Sequence, residues 1–146
     1  MIKTTRWRPD TCSCIFEYTW DSTVKPELRT HTFRNIINTC QEHSSIQSDA
    51  DKINIVRTEN TRKNRALQLV LENGPSQLYS IRQSDGVRIL RDNVDYRWSF
   101  SGSASNRTLN ISFFISNSKF SLTGNDRNII DSVLSSELGN NTVVIS

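Results

Sequence analysis

Apolar and polar positions alternate near the start of the chain. Cys12, Cys14, Phe16, Tyr18 and Trp20 interleave with Ser13, Ile15, Glu17 and Thr19. A period of two with the large aromatics on one side predicts a half-buried strand carrying both cysteines. Asp21 to Arg29, which contains Pro26, reads as a loop. Phe33, Ile36, Ile37 and Cys40 then fall at i, i+3, i+4 and i+7, the spacing of a short helix ending near His43, with Thr30 or Thr32 as its cap. An extended conformation from Thr30 to Arg34 is the alternative.

A capping-box variant at Ser48-Asp49-Ala50-Asp51 and a stop at Asn73-Gly74-Pro75 bracket the longest predicted helix, about residues 49–72. Its ends carry apolar residues: Ile46, Ala50, Ile53 and Val56 at one, and Leu67, Val70 and Leu71 at the other. Its centre, with Asn60, Lys63 and Asn64, interrupts the stripe. Lys52, Arg57, Arg62, Lys63 and Arg65 lie here against a single acid, Glu59. The pattern predicts apolar ends anchored in a core and an exposed polar middle. Arg57, Arg62, Lys63 and Arg65 are the candidate contacts for a protein partner or for phosphate, set against an ordinary solvated face.

The second half is strand-rich. Leu78 to Arg82 and Val87 to Leu90 flank the turn signal Ser84-Asp85-Gly86. Tyr96, Trp98 and Phe100 alternate with polar residues, as do Leu109, Ile111, Phe113 and Ile115. Asn125 is placed to cap a helix carrying Ile129, Ile130, Val133, Leu134 and Leu138, which Gly139 ends. Thr142 to Ile145 is a last strand. The order predicts an α+β fold with a mostly antiparallel sheet. A zinc-stapled N-terminal part with a long helix (1–73) precedes a β-rich part ending β-β-α-β (74–146), either as two domains or as one continuous domain.

Cysteine chemistry changes this picture most. All three cysteines join one pattern with a histidine: Cys12-Ser13-Cys14, twenty-five residues, then Cys40-Gln41-Glu42-His43. Three thiols and an imidazole make a closed tetrahedral zinc set. On a strand, Cys12 and Cys14 share a face with Cα atoms roughly 6–7 Å apart. On a helical turn, so do Cys40 and His43. The alternatives are three buried free thiols, or His31 in place of His43. A disulfide fits less well, because three is odd and a Cys12–Cys14 ring would be strained. No apolar leader follows Met1, so a reducing compartment, host cytoplasm or virion rather than secretion, is expected. Four protein ligands leave no open position, so the motif speaks against metal catalysis.

Charge and composition narrow the rest. The 146 residues carry 18 basic and 15 acidic side chains, a net charge of +3 too balanced to indicate nucleic acid by itself. Apolar content is 35%, low enough that a metal staple would help the fold. No stretch approaches the ~20 apolar residues of a membrane span. No nucleophile elbow, zincin, P-loop or dinucleotide fingerprint is present, so an enzyme is not expected.

The run Arg6-Trp7-Arg8-Pro9-Asp10-Thr11-Cys12-Ser13-Cys14 resembles the opening of small proteins from bacteriophage and environmental viral sequences, with a "RW-x-PDTC-x-C" start. Glu17-Tyr18-Thr19-Trp20-Asp21, His31-Thr32-Phe33, the Cys40/His43 pair, Glu59-Asn60-Thr61-Arg62-Lys63-Asn64 and Trp98-Ser99-Phe100 are similar to later parts of that group. The resemblance spans most of the chain. It implies a viral setting and four ligands acting together, and it supplies no activity. The function expected is a small structural or interaction protein with a structural zinc site, a virion component or assembly adaptor working through a protein partner. The runner-up is a zinc-knuckle nucleic-acid-binding accessory protein.

Overall fold

Strand β1 (Ile2–Trp7) pairs antiparallel with β2 (Ile15–Asp21), and β2 with β3 (Thr32–Asn38), giving a three-stranded meander. The computed structural model describes residues 1–104 and 106–146. Phe16 and Tyr18 point to the buried face of β2, as the alternation requires, while Glu17 and Thr19 are less covered. The strand begins only at Ile15, so Cys12 and Cys14 sit in the turn before it rather than on it.

The helix expected through Phe33, Ile36 and Ile37 is instead β3. The reason is in its register. Phe16 pairs with Ile36, Glu17 with Asn35 and Tyr18 with Phe33, and the register shifts twice. Each shift leaves one extra residue on β3, Ile37 and Arg34. A bulge of this kind reverses side-chain parity. Phe33 and Ile36, three apart, therefore pack against the same cluster, and a bulged strand mimics helical spacing.

Helix α1 (Asp49–Asn73) matches its expected span. The Ser48 hydroxyl accepts the Asp51 N–H at 3.3 Å, and Asp49 and Asp51 lie in the first turn, where acids oppose the positive end of the helix dipole. The helix ends where the Gly74 N–H reaches the Val70 carbonyl at 2.7 Å, before Pro75. The expectation of an exposed polar middle holds for Arg57, Thr58, Thr61 and Asn64 and fails at two positions. Glu59 and Lys63 are only 3% and 6% exposed. They occupy the helical stripe between Ile53 and Val56 on one side and Ala66, Leu69 and Val70 on the other. The stripe does not lapse. It is carried there by polar side chains with apolar stems.

The chain divides into two compact units, 1–61 and 62–146, so the division falls within α1 and the boundary expected after Asn73 lies inside the second unit. The core of the first unit is Cys14, Phe16, Tyr18, Cys40, Ile53 and Val56, with Trp7, Phe33 and Ile36 packed around it.

The second unit contains the expected hairpin, β4 (Tyr79–Ile81) with β5 (Arg88–Leu90), turning through Gly86 at φ +72°. Its main sheet is β6 (Val94–Ser103), β7 (Asn106–Ile115), β8 (Ser118–Phe120) and β9 (Val143–Ile145). β8 pairs antiparallel with β7 at Phe113–Ile115, and β9 pairs parallel with it at Leu109–Ile111. Helix α2 (Gly124–Leu138) joins β8 to β9, which gives the β-β-α-β ending. Thr123, not Asn125, is its N-cap, and Gly139 at φ +97° closes it. Leu109, Ile111 and Phe113 meet Leu69, Val70, Ile130, Leu134 and Ile145 in the core of this unit. Burying each such side chain contributes about 1.5–3 kcal/mol.

Candidate metal centre

The meander brings the two cysteine segments to one end of its sheet. The turn between β1 and β2 carries Cys12 and Cys14. β3 runs antiparallel to β2 and finishes at the same end, where Ile15 is opposite Asn38. Asn38 Nδ2 donates to the Ser13 carbonyl at 2.9 Å, which ties the turn to the end of β3. Cys40 then caps a 3₁₀ turn over Gln41–His43, and the His43 N–H reaches back to the Cys40 carbonyl at 3.3 Å. A single tight turn therefore puts ligands three apart on one side, as the longer predicted helix would have done.

Cys12, Cys14, Cys40 and His43 offer one ligand atom each, and all four atoms lie within 4.8 Å of one another. Cys14, Cys40 and His43 are buried, and Cys12 is partly covered. His43 Nδ1 is 3.0 Å from Cys40 Sγ and 3.9 Å from Cys14 Sγ. A tetrahedral ion with metal–sulfur bonds near 2.3 Å and metal–nitrogen bonds near 2.0 Å has ligand–ligand edges of about 3.5–3.8 Å. A sulfur–nitrogen edge is at the short end of that range, so the Cys14–His43 edge needs to close by about 0.4 Å. The Cys40–His43 edge needs to open by about 0.5 Å. The donor set and its geometry form a candidate metal site, and all four predicted ligands belong to it. His31 does not. It packs beside Trp20, with ring centroids 6.0 Å apart.

Sequence reasoning missed the group that orients the histidine. Glu59 Oε2, on α1, accepts from His43 Nε2 at 3.0 Å, and both side chains are almost fully buried. A ligating histidine needs an acceptor for its second ring nitrogen, and a carboxylate fixes both tautomer and ring plane. With the proton on Nε2, the Nδ1 lone pair faces the sulfurs. The signal was present in outline: Glu59 is the lone acid of the basic segment and lies three residues after Val56 on the buried stripe.

Titration behaviour follows from the same contacts. The Glu59 hydrogen bond raises the His43 pKa, against the opposing effect of burial. Burial pushes the Cys12 and Cys14 thiols up. Cys40 is the exception. Burial works against its thiolate, but hydrogen bonds from the His43 side chain and backbone outweigh that and bring its pKa below the ordinary thiol value. The Cys40 N–H also points at Cys14 Sγ at 3.3 Å, a bond that favours a sulfur bearing negative charge.

Arg57, Arg62, Lys63 and Arg65 each have a partner within their own unit. Arg57 donates to the Tyr18 hydroxyl at 2.6 Å, and Arg62 to the Arg107 carbonyl at 3.3 Å. Lys63 is buried with its Nζ 4.3 Å from the centre of the Trp98 ring. Arg65 forms a two-pronged pair with Glu137 at 2.8 and 3.0 Å. No described helix is long and apolar enough to cross a membrane. Comparison of the chain with protein-family models, curated proteins and solved structures returns no match.

Proposed function

We propose that Cys12, Cys14, Cys40 and His43 hold one zinc ion as a structural staple. Three sulfurs and one nitrogen within 4.8 Å of one another are a donor set that zinc takes in tetrahedral sites. The observation that carries this reading is the buried Glu59–His43 pair, which aims Nδ1 at the sulfurs. Four protein ligands close the shell, so the ion serves the fold and no catalytic role is assigned. X-ray absorption at the zinc edge tests both points. Three sulfurs near 2.3 Å and one nitrogen near 2.0 Å are expected. A water oxygen in the shell would overturn the structural assignment.

The stapled domain then acts as a structural or interaction protein of a virus, within the host cytoplasm or the virion, through a protein partner. The motif resemblance supports the viral setting. The engagement of Arg62, Lys63 and Arg65 within the second unit weighs against a phosphate-binding face at that end of the basic segment, one of the features on which the nucleic-acid alternative rested. A tagged chain expressed from its parent genome is expected to copurify with particles or assembly intermediates. Recovery with neither would refute this role.

A further inference from the structure

One cleft lies wholly within the first unit, lined by none of the four candidate metal ligands, with a volume of about 490 Å³. Small-molecule sites typically fall in the range of about 300–1,000 Å³. Thr5 and Trp7 of β1 and Tyr18 of β2 line one part of it, and Arg57, Asn60 and Thr61 of α1 line another. Register explains the strand side. Thr5 is opposite Tyr18 and Trp7 opposite Phe16, so all four project from one face of the sheet. The stacked Trp7 and Phe16 rings, with centroids 5.7 Å apart, brace the indole. The guanidinium of Arg57 is held in place by its bond to the Tyr18 hydroxyl at 2.6 Å, and it lies 5.3 Å from that ring's centre.

These groups have complementary uses. The half-buried Trp7 indole offers a π-face, Arg57 offers a positively charged fork of N–H donors, and Asn60, Thr5 and Thr61 offer neutral hydrogen-bonding groups. No carboxylate is among the described lining residues, so nothing there repels an anion. A planar ring joined to a phosphate matches this set: the base stacks on an aromatic side chain and the phosphate meets the guanidinium. We propose that the cleft bounded by Trp7, Tyr18 and Arg57 binds one nucleotide unit. This proposal is independent of zinc, because none of the metal ligands lines the cleft.

The test uses the full metal-loaded chain with two probes, adenosine monophosphate and a fluorescein-labelled ten-residue oligothymidylate, followed by calorimetry and anisotropy respectively. Arg57→Gln removes the cation, and Thr61→Glu places a carboxylate at an exposed lining position. Each variant is checked for native circular dichroism and zinc content. Binding weakened at least about tenfold by both substitutions, with Lys119→Gln in the second unit as an unaffected control, is expected. Binding of the mononucleotide assigns a free nucleotide, and binding of the oligonucleotide alone assigns a strand. Failure of both probes at millimolar concentration would overturn the proposal. So would binding that neither cleft substitution changes. Should Arg57→Gln misfold, Thr61→Glu alone decides.

Discussion

Replacing Glu59 with leucine removes the acceptor from His43 Nε2 while keeping a side chain of similar size in a buried position. The native contact is 3.0 Å long, and the two side chains are 0% and 4% exposed, so water has little access to replace the lost partner. Loss of such an orienting carboxylate lowers metal affinity about 10–100-fold. That range corresponds to about 1.4–2.7 kcal/mol. It is of the same order as the cost of leaving one buried donor unmatched, about 1–3 kcal/mol. Glu59→Gln keeps a neutral acceptor and is expected to cost less than about tenfold. Competition against a chromophoric zinc chelator at fixed pH and under reducing conditions reads both values. If Glu59→Leu binds within about twofold of the parent chain, the carboxylate does not orient the ligand, and the derivation from the His43 geometry fails.

Two further outcomes follow from the separate cores. Chelation, or Cys40→Ser, is expected to raise amide hydrogen exchange across residues 1–61 while the main sheet of the second unit keeps its protection; uniform loss or no change would contradict this. Tyr96 is partly buried and its hydroxyl faces the Lys63 carbonyl at 3.4 Å, and burial raises its pKa above the ordinary value of 10.0. The unfolded chain therefore loses this proton first, so stability is intact below pH 10 and falls as the pH rises beyond it. Tyr96→Phe should flatten that alkaline loss, measured by urea unfolding from pH 9 to 11.

Much of this architecture was legible in residue patterns, and the failures have physical causes. The aromatic alternation of β2 and the capped span of α1 could be read directly, because each depends on local periodicity and end chemistry. The ligand set could be read because three thiols and one imidazole at paired spacing have few other uses. Strand β1 could not be anticipated: Lys3 and Thr5 share the period with Trp7, and most of the strand is exposed, so pairing with β2 rather than burial defines it. β3 carries helical spacing because two bulges reverse its parity. In the middle of α1, charge implies solvation at every position, whereas Glu59 bonds to His43 and Lys63 packs over Trp98. Both relations join residues far apart in sequence, which local patterns do not register.

The central claim is that Cys12, Cys14, Cys40 and His43 hold one zinc ion, and elemental analysis tests it most directly. Protein purified under reducing conditions without added chelator should contain one zinc per chain, and Cys14→Ser protein much less. Metal-free parent protein whose three thiols all react rapidly without denaturant, with unchanged thermal unfolding when zinc is supplied, would contradict the account.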